Sequence, residues 1–481
     1  MTDKTGSDKT GSDKTGSDLA GIDRNGVTEF RGLRFASASR WEPPTDTIGW
    51  PAGASAQSFG CQAPQTGGPL ERLLGDIDVT MDEDCLFLNV FTPAADARAR
   101  PVLVFIHGGA FVTGTGAMPW YDGAHLARLG DVVVVTINYR LGALGFLGNR
   151  NLGSLDQISA LRWVSRHVGD FGGNPDNVTI FGESAGGASV VSLLAAPEAD
   201  ALFHRVWAMS PSLLQLRGND TATRFEQTFV DLVESHVDTG SLDDLQIEQL
   251  LELQQRMPVD PAMRNFSPSA PSSAFPDPVL ERAADDCRPV VIGANRDEML
   301  LFTTFDASRS GWDERDVERE FTARFGDRGG EAVDAYRSRR PDADASQLVS
   351  ALQTDEVFRR PAQQLAEARV EAGATTWMYT FDQPSTALGG AFGSCHGLDL
   401  PYAFHTLDAP GVEMFTGAGE DRIGVADQFS GALVAFAHRD QPGWPEFDLD
   451  RRATQRIGPE PEVVDDPEAD LRLLWSSREH A

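Results

Sequence analysis

The residues with the clearest chemical signature are Gly182-Glu183-Ser184-Ala185-Gly186, inside the stretch VTIFGESAGGASVVSLL. A serine flanked by glycines, with an apolar strand pattern before it and a helical pattern after it, suits nucleophilic attack. So sharp a strand-to-helix turn leaves no room for bulk beside the serine, hence Gly182, Gly186 and Gly187. The hydroxyl then stands exposed on strained backbone at the end of a strand. The N-terminus of the next helix favours negative charge developing there. A glycine-rich turn that merely happens to hold a serine is the bland alternative, and the strand–turn–helix context argues against it.

An attacking serine needs donors for the oxyanion that forms. The N–H of Ala185 is one, and the segment HGGAF (107–111), directly after another apolar strand pattern, offers more. Its small residues let backbone amides approach a carbonyl oxygen, and losing one such donor typically costs about a hundred- to a thousandfold in rate. Strand-end glycines with positive φ would explain Gly108 and Gly109 but not the order of strand, HGG and elbow. His107 reads as a loop-fixing side chain rather than a base.

A base and an acid must follow, in the order serine, acid, histidine. That excludes His107, His125 and His167, leaves little room before His204 and His236, and sets aside His480 at the chain end. Among His396, His405 and His438, the first sits in a glycine-flanked loop, AFGSCHGLDLPYAF, a dozen residues beyond an apolar strand. The other two lie in helical patterns, where a packed or solvated imidazole is the expectation. For the acid, RPVVIGANRDEMLLF puts Asp297 and Glu298 directly after a buried strand. The residues alone do not separate these two. A neutral imidazole would have to accept the serine proton, so activity is expected to fall on acidification near the ordinary histidine value of about 6.5.

The elements that position these residues are legible too. PVLVFIHGG, DVVVVTINY, VTIFG, RVWAMS, RPVVIGAN and TWMYTFD are short β-branched apolar runs without alternation, the mark of strands buried on both faces. Leu155, Ile158, Leu161, Val164 and Val168 recur at helical spacing, as do Phe225, Phe229 and Leu232, and Val317, Phe321 and Phe325. Strand–helix alternation predicts an α/β fold with a mostly parallel sheet covered on both faces. Charge-rich helical insertions at about 211–285 and 303–372 are expected to wall a pocket. Residues 1–18 repeat DKTGS and read as a disordered tail, leaving 19–481 as one domain.

Composition narrows the partners. Lys and Arg number 41 against 72 Asp and Glu, a net charge of −31 that repels nucleic acid and anionic lipid. Lysine occurs only at Lys4, Lys9 and Lys14. No apolar run nears the roughly 20 residues of a membrane helix, and no apolar leader is visible, so a cytoplasmic location is the expectation. Cys61, Cys85, Cys287 and Cys395 lack C-x-x-C spacing, so no metal is expected. The chemistry calls for no cofactor.

Across nearly all of residues 20–475 the sequence resembles the type B carboxylesterase family, which also contains the cholinesterases. The likeness rests on VTEFRGLRFA, EDCLFLNVFTP, FIHGGAF, NYRLGALGFL, FGGNPDNVTIFGESAGG, VVIGANRDE, HGLDLPYAF and GWPEFD. It implies an α/β-hydrolase fold and a Ser–His–Glu triad of Ser184, His396 and Glu298. It also implies oxyanion donors from Gly109, Ala110 and Ala185 with Gly108 shaping the loop, and a pairing of Cys61 with Cys85. Met299, the SPS at 210–212 and segment 258–287 depart from the family pattern and bear on the acyl pocket. The expected substrate is a small-molecule ester. An arylcarbamate or amide cleaved by the same triad is the alternative, and a non-catalytic binding protein the more distant one. Choline esters are not expected to be favoured, because the segment between Cys61 and Cys85 has no aromatic residue. Trp120 or Tyr121 would have to supply the cation's aromatic face instead.

Overall fold

The apolar runs become the middle of one sheet. In the computed structural model, which describes residues 19–50, 54–67, 79–237, 241–258, 260 and 264–479, eleven strands hydrogen-bond side by side. In chain order they are β1 (Ile22–Arg24), β2 (Val27–Arg34), β3 (Phe87–Thr92), β4 (Arg100–Ile106), β5 (Val133–Ile137) and β6 (Gly173–Glu183). There follow β7 (Arg205–Met209), β8 (Val290–Asn295), β9 (Thr376–Phe381), β10 (Ala453–Ile457) and β11 (Glu462–Asp465). Their order across the sheet is β1-β2-β3-β5-β4-β6-β7-β8-β9-β10-β11.

From β5 to β10 every neighbour is parallel. Strands β4 to β9 are the unalternated runs of the sequence, and β4, β5 and β8 are buried at every position. Successive side chains point to opposite faces. Thus Val102, Val104, Ile106, Val178 and Ile180 enter one core, while Leu103, Phe105, Phe181, Trp207 and Val291 enter the other. The two ends of the sheet are antiparallel: β1–β3 on one side and β11 on the other.

The helices follow the predicted periodicities. They include α1 (Leu152–His167), α2 (Ala185–Leu193), α3 (Asn219–His236), α4 (Glu314–Phe325), α5 (Ala345–Thr354), α6 (Arg360–Glu371) and α7 (Asp421–Arg439). Asp156 in α1 is buried, and the Arg140 guanidinium grips it through Nε at 2.8 Å and Nη2 at 2.7 Å. That pairing, rather than the helix dipole, accounts for it. The segment 303–372 and the helix at Ala469–Glu479 build a third apolar cluster that includes Phe321, Tyr336, Leu348 and Trp475.

The expected tail lies outside the described residues, as does His480. No helix among the described residues is long and apolar enough to cross a membrane. Because lysine is confined to the first fourteen residues, every ion pair of the described body draws its cation from arginine or histidine. Cys61 and Cys85, the pair the resemblance implies can bridge, are both free thiols in this structure. Cys85 is buried in the core, where burial raises its pKa and favours the neutral thiol, while Cys61 Sγ lies 3.3 Å from Thr80 Oγ1.

Candidate active site

Strand register brings the candidate residues to one edge of the sheet. Ile106 stands opposite Gly182, so the loop that begins at His107 leaves the sheet beside the turn at Ser184. Asn295 stands opposite Phe381, so Glu298 and the segment leading to His396 leave at that edge too. This is the carboxyl end of the parallel strands, where open α/β sheets bind ligands.

Ser184 has φ 58° and ψ −119°, a backbone state that costs a non-glycine residue about 1–3 kcal/mol. Its N–H donates to Met209 O at 3.0 Å, and its carbonyl accepts from Ala188 N and Ser212 N at 2.8 and 3.1 Å. The glycines are dictated by space. A Cβ on Gly186 would come within 2.0 Å of Ile106 O, and one on Gly182 within 2.5 Å of the Gly186 backbone. Ala185 opens α2, so its N–H has no carbonyl within the helix to bond.

The HGGA loop packs on this turn. A Cβ on Gly108 would meet Glu183 O at 2.7 Å and Ser184 Cβ at 3.1 Å. Gly109 and Ala110 have φ of 101° and 53° in a turn closed by the N–H groups of Val112 and Thr113 on Gly109 O. His107 is buried. Its Nδ1–H donates to Gly108 O at 2.8 Å, its ring stacks on Tyr139, and burial pushes its pKa down to about 4. It fixes the loop, as the sequence suggested.

Of the open histidines, His396 alone meets an acid inside the fold. Glu298 Oε2 accepts from its Nδ1 at 2.7 Å, and Glu298 Oε1 accepts from Asn295 N at 2.6 Å. His396 N also donates to Glu298 O at 3.2 Å, so the two loops are tied by backbone as well as by side chain. His405 is not helical, contrary to its pattern: it has φ 57°, stacks on His125 and bonds the exposed Asp427. His438, in α7, bonds Gly130 O. Asp297 turns elsewhere, accepting from Arg296, Arg340 and Ser394 N. Burial would raise its pKa, but the two guanidinium groups outweigh that and hold it low. The ambiguity between Asp297 and Glu298 thus resolves into an ion-paired carboxylate and an imidazole-bound one.

Three neighbours of His396 were not singled out in the sequence. Glu183 Oε1 lies 3.2 Å from His396 Nε2 without hydrogen-bond geometry. Phe358 and Phe302 pack on the imidazole, with centroids 4.6 and 5.4 Å away. Glu183 sits inside the serine motif itself and could have been found there. The two rings arrive from distant segments and leave no local signal. Burial alone would lower the pKa of His396, but the Glu183 and Glu298 carboxylates carry it up to about 9. Burial in turn raises Glu183. Among the described residues, no group of three His, Cys, Asp or Glu side chains is arranged to hold a metal ion.

Comparison with known proteins identifies the family. The family model described as "Carboxylesterase family" matches residues 14–469. A para-nitrobenzyl esterase of Bacillus subtilis (strain 168) is 32% identical over 480 residues, covering 93% of this chain and 94% of its own. A phenmedipham hydrolase of Pseudarthrobacter oxydans is 33% identical over 462 residues, covering 91% and 92%. Among solved structures, a Geobacillus stearothermophilus carboxylesterase superposes with a TM-score of 0.82 at 34% identity, covering 95% of this chain and 98% of that one. With the α/β-hydrolase sheet and matches spanning almost its whole length, the chain belongs to the type B carboxylesterase family and is a carboxylic ester hydrolase.

Proposed function

We propose that the enzyme cleaves small-molecule carboxylic esters by a two-step acyl transfer on Ser184. His396 Nε2 takes the Ser184 hydroxyl proton as Oγ attacks the ester carbonyl. The N–H groups of Gly109, Ala110 and Ala185, with Gly108 keeping the loop close, receive the oxyanion. The tetrahedral species collapses, the C–O bond to the alcohol breaks, and His396 returns its proton to the leaving oxygen. Water then attacks the acyl-serine with His396 again as base, releasing the acid and restoring the hydroxyl. Glu298 fixes the imidazole with its proton on Nδ1 and stabilises the imidazolium.

The observation that carries this reading is the buried 2.7 Å contact between Glu298 and His396 at the edge where Ser184 stands on strained backbone. The mechanism draws on side chains and backbone alone. The expected result is that Ser184→Ala abolishes ester hydrolysis with the fold retained, and that a phosphonate ester labels wild type at Ser184. Labelling of a different serine, or hydrolysis by the variant at the wild-type rate, would overturn it. Since a relative is named for hydrolysing phenmedipham, the second reading is cleavage of a carbamate or amide by the same residues. Relative kcat/KM on matched ester, carbamate and amide substrates decides between them.

A further inference from the structure

Between α5 and α6 the helix makes one wide turn. Asp355–Arg359 is a π-helix joining the two, a local widening that often occurs at functional positions. Its reach is unusual. Phe358, 4% exposed, lays its ring against the His396 imidazole at 4.6 Å with the planes tilted by 37°. Thr354, just before the turn, accepts Met299 N–H on its Oγ1 at 3.1 Å, one residue after Glu298. Arg359 Nη2 donates to Arg296 O at 2.8 Å, two residues before Glu298. One short segment therefore holds the acid's loop on both sides and covers the face of the base.

The turn is anchored from behind. Asp355 accepts from the Tyr336 hydroxyl and from Arg359. Arg359 also donates to Glu468 Oε2 at 2.8 Å, and Trp475 Nε1 donates to Tyr336 Oη at 3.0 Å. These partners belong to the helical insertion at 303–372, to Glu468 and to the helix that follows it (Ala469–Glu479), so the device spans elements far apart in sequence.

We propose that the Asp355–Arg359 turn is a positioning element for the acid–base pair, Phe358 fixing the His396 ring and Thr354 fixing the Glu298 loop. It rests on the assignment of Ser184, His396 and Glu298 made above. An imidazole tied only through Nδ1 can still rock about that bond. A buried ring on its face removes the freedom, whereas Phe302, 41% exposed, packs more loosely. An ordinary α-turn advances about 100° per residue, so losing the wide turn would rotate Phe358 off the imidazole. The charged or titratable groups facing His396 are Glu183, Glu298 and Asp399. Phe358 adds none, so its part is geometric.

The test compares Phe358→Ala, Phe358→Leu and Thr354→Val with wild type, each normalised to the Ser184 sites that a phosphonate titrates. Phe358→Ala should lower kcat and the phosphonylation rate constant together by about ten- to a hundredfold, the scale of a 1 Å misplacement. KM should move by less than about twofold, and Phe358→Leu should recover most of the loss. Thr354→Val keeps its shape, loses the acceptor for Met299 N–H and should slow both steps in the same way. Wild-type rates in Phe358→Ala would overturn the proposal. So would an effect on KM alone that grows with the alcohol group, since that assigns the ring to substrate contact. If wild-type Ser184 takes no phosphonate, the catalytic assignment itself has failed, and the proposal falls with it.

Discussion

His396 has a carboxylate near each ring nitrogen, Glu298 at Nδ1 and Glu183 at Nε2. Both favour the imidazolium, and only neutral imidazole accepts the serine proton. The sign follows: below its pKa the base is occupied, so activity rises with pH and levels off above it. With His396 carried to about 9, the kcat/KM profile should climb well past neutrality, beyond the midpoint near 6.5 expected from sequence. Glu183→Gln removes one of the raising charges and should move the midpoint down. A wild-type midpoint at the ordinary histidine value, indifferent to that change, would count against this. Glu298→Gln should cost several powers of ten in kcat, as loss of a triad acid does, and Asp297→Asn far less, since Asp297 pairs with arginines instead. Choline esters should gain no advantage over uncharged esters of equal size. Trp120 and Tyr121 are both buried in the core, Trp120 stacked on Phe415 and bonded to Pro410 O, so neither offers a face to a cation. Comparing kcat/KM for butyrylthiocholine and a neutral thioester measures this. At this scale the sequence marked the serine, the glycines and His396 as candidates, because turn sterics leave local marks. It could not rank Asp297 against Glu298 without the family resemblance, because their difference is one of direction.

The parallel strands were legible because burial on both faces makes them uninterrupted apolar runs. The strands towards the two ends of the sheet were harder. β2 mixes buried and half-buried positions without strict alternation, and β10 reads ATQRI, each with polar residues where one side is partly exposed. The insertions hold one element that no periodicity announces. Arg217, buried, points its guanidinium at backbone carbonyls: Ser267 and Asn265 at 2.9 Å, Gly148 at 2.7 Å, and Phe146. It staples the loop before α1 to the segment at 264–269. Burial lowers its pKa to about 10, and carbonyls rather than a carboxylate receive its protons. Arg217→Met should lower stability by about 2–4 kcal/mol, because several buried acceptors lose their donor at once. The midpoint of urea unfolding measures it, with Arg217→Lys expected to fall in between. The π-turn was equally hidden, since one extra residue in a helix barely disturbs the apolar pattern.

Over the whole molecule, a net charge of −31 sets acidic groups against one another, while surface ion pairs return only about 0–1 kcal/mol each. Repulsion should dominate at low salt. The thermal midpoint is therefore expected to rise between about 0.01 and about 1 M sodium chloride, as the screening length shrinks from ~30 to ~3 Å. A flat or falling midpoint would show that the ion pairs outweigh the excess charge. The surface has another property. Its cations are guanidinium groups, which acylating and aldehyde reagents aimed at amines pass over. The side-chain primary amines of this sequence are those of Lys4, Lys9 and Lys14. An amine-reactive resin or dye would therefore find its side-chain targets at those three positions, set by composition alone.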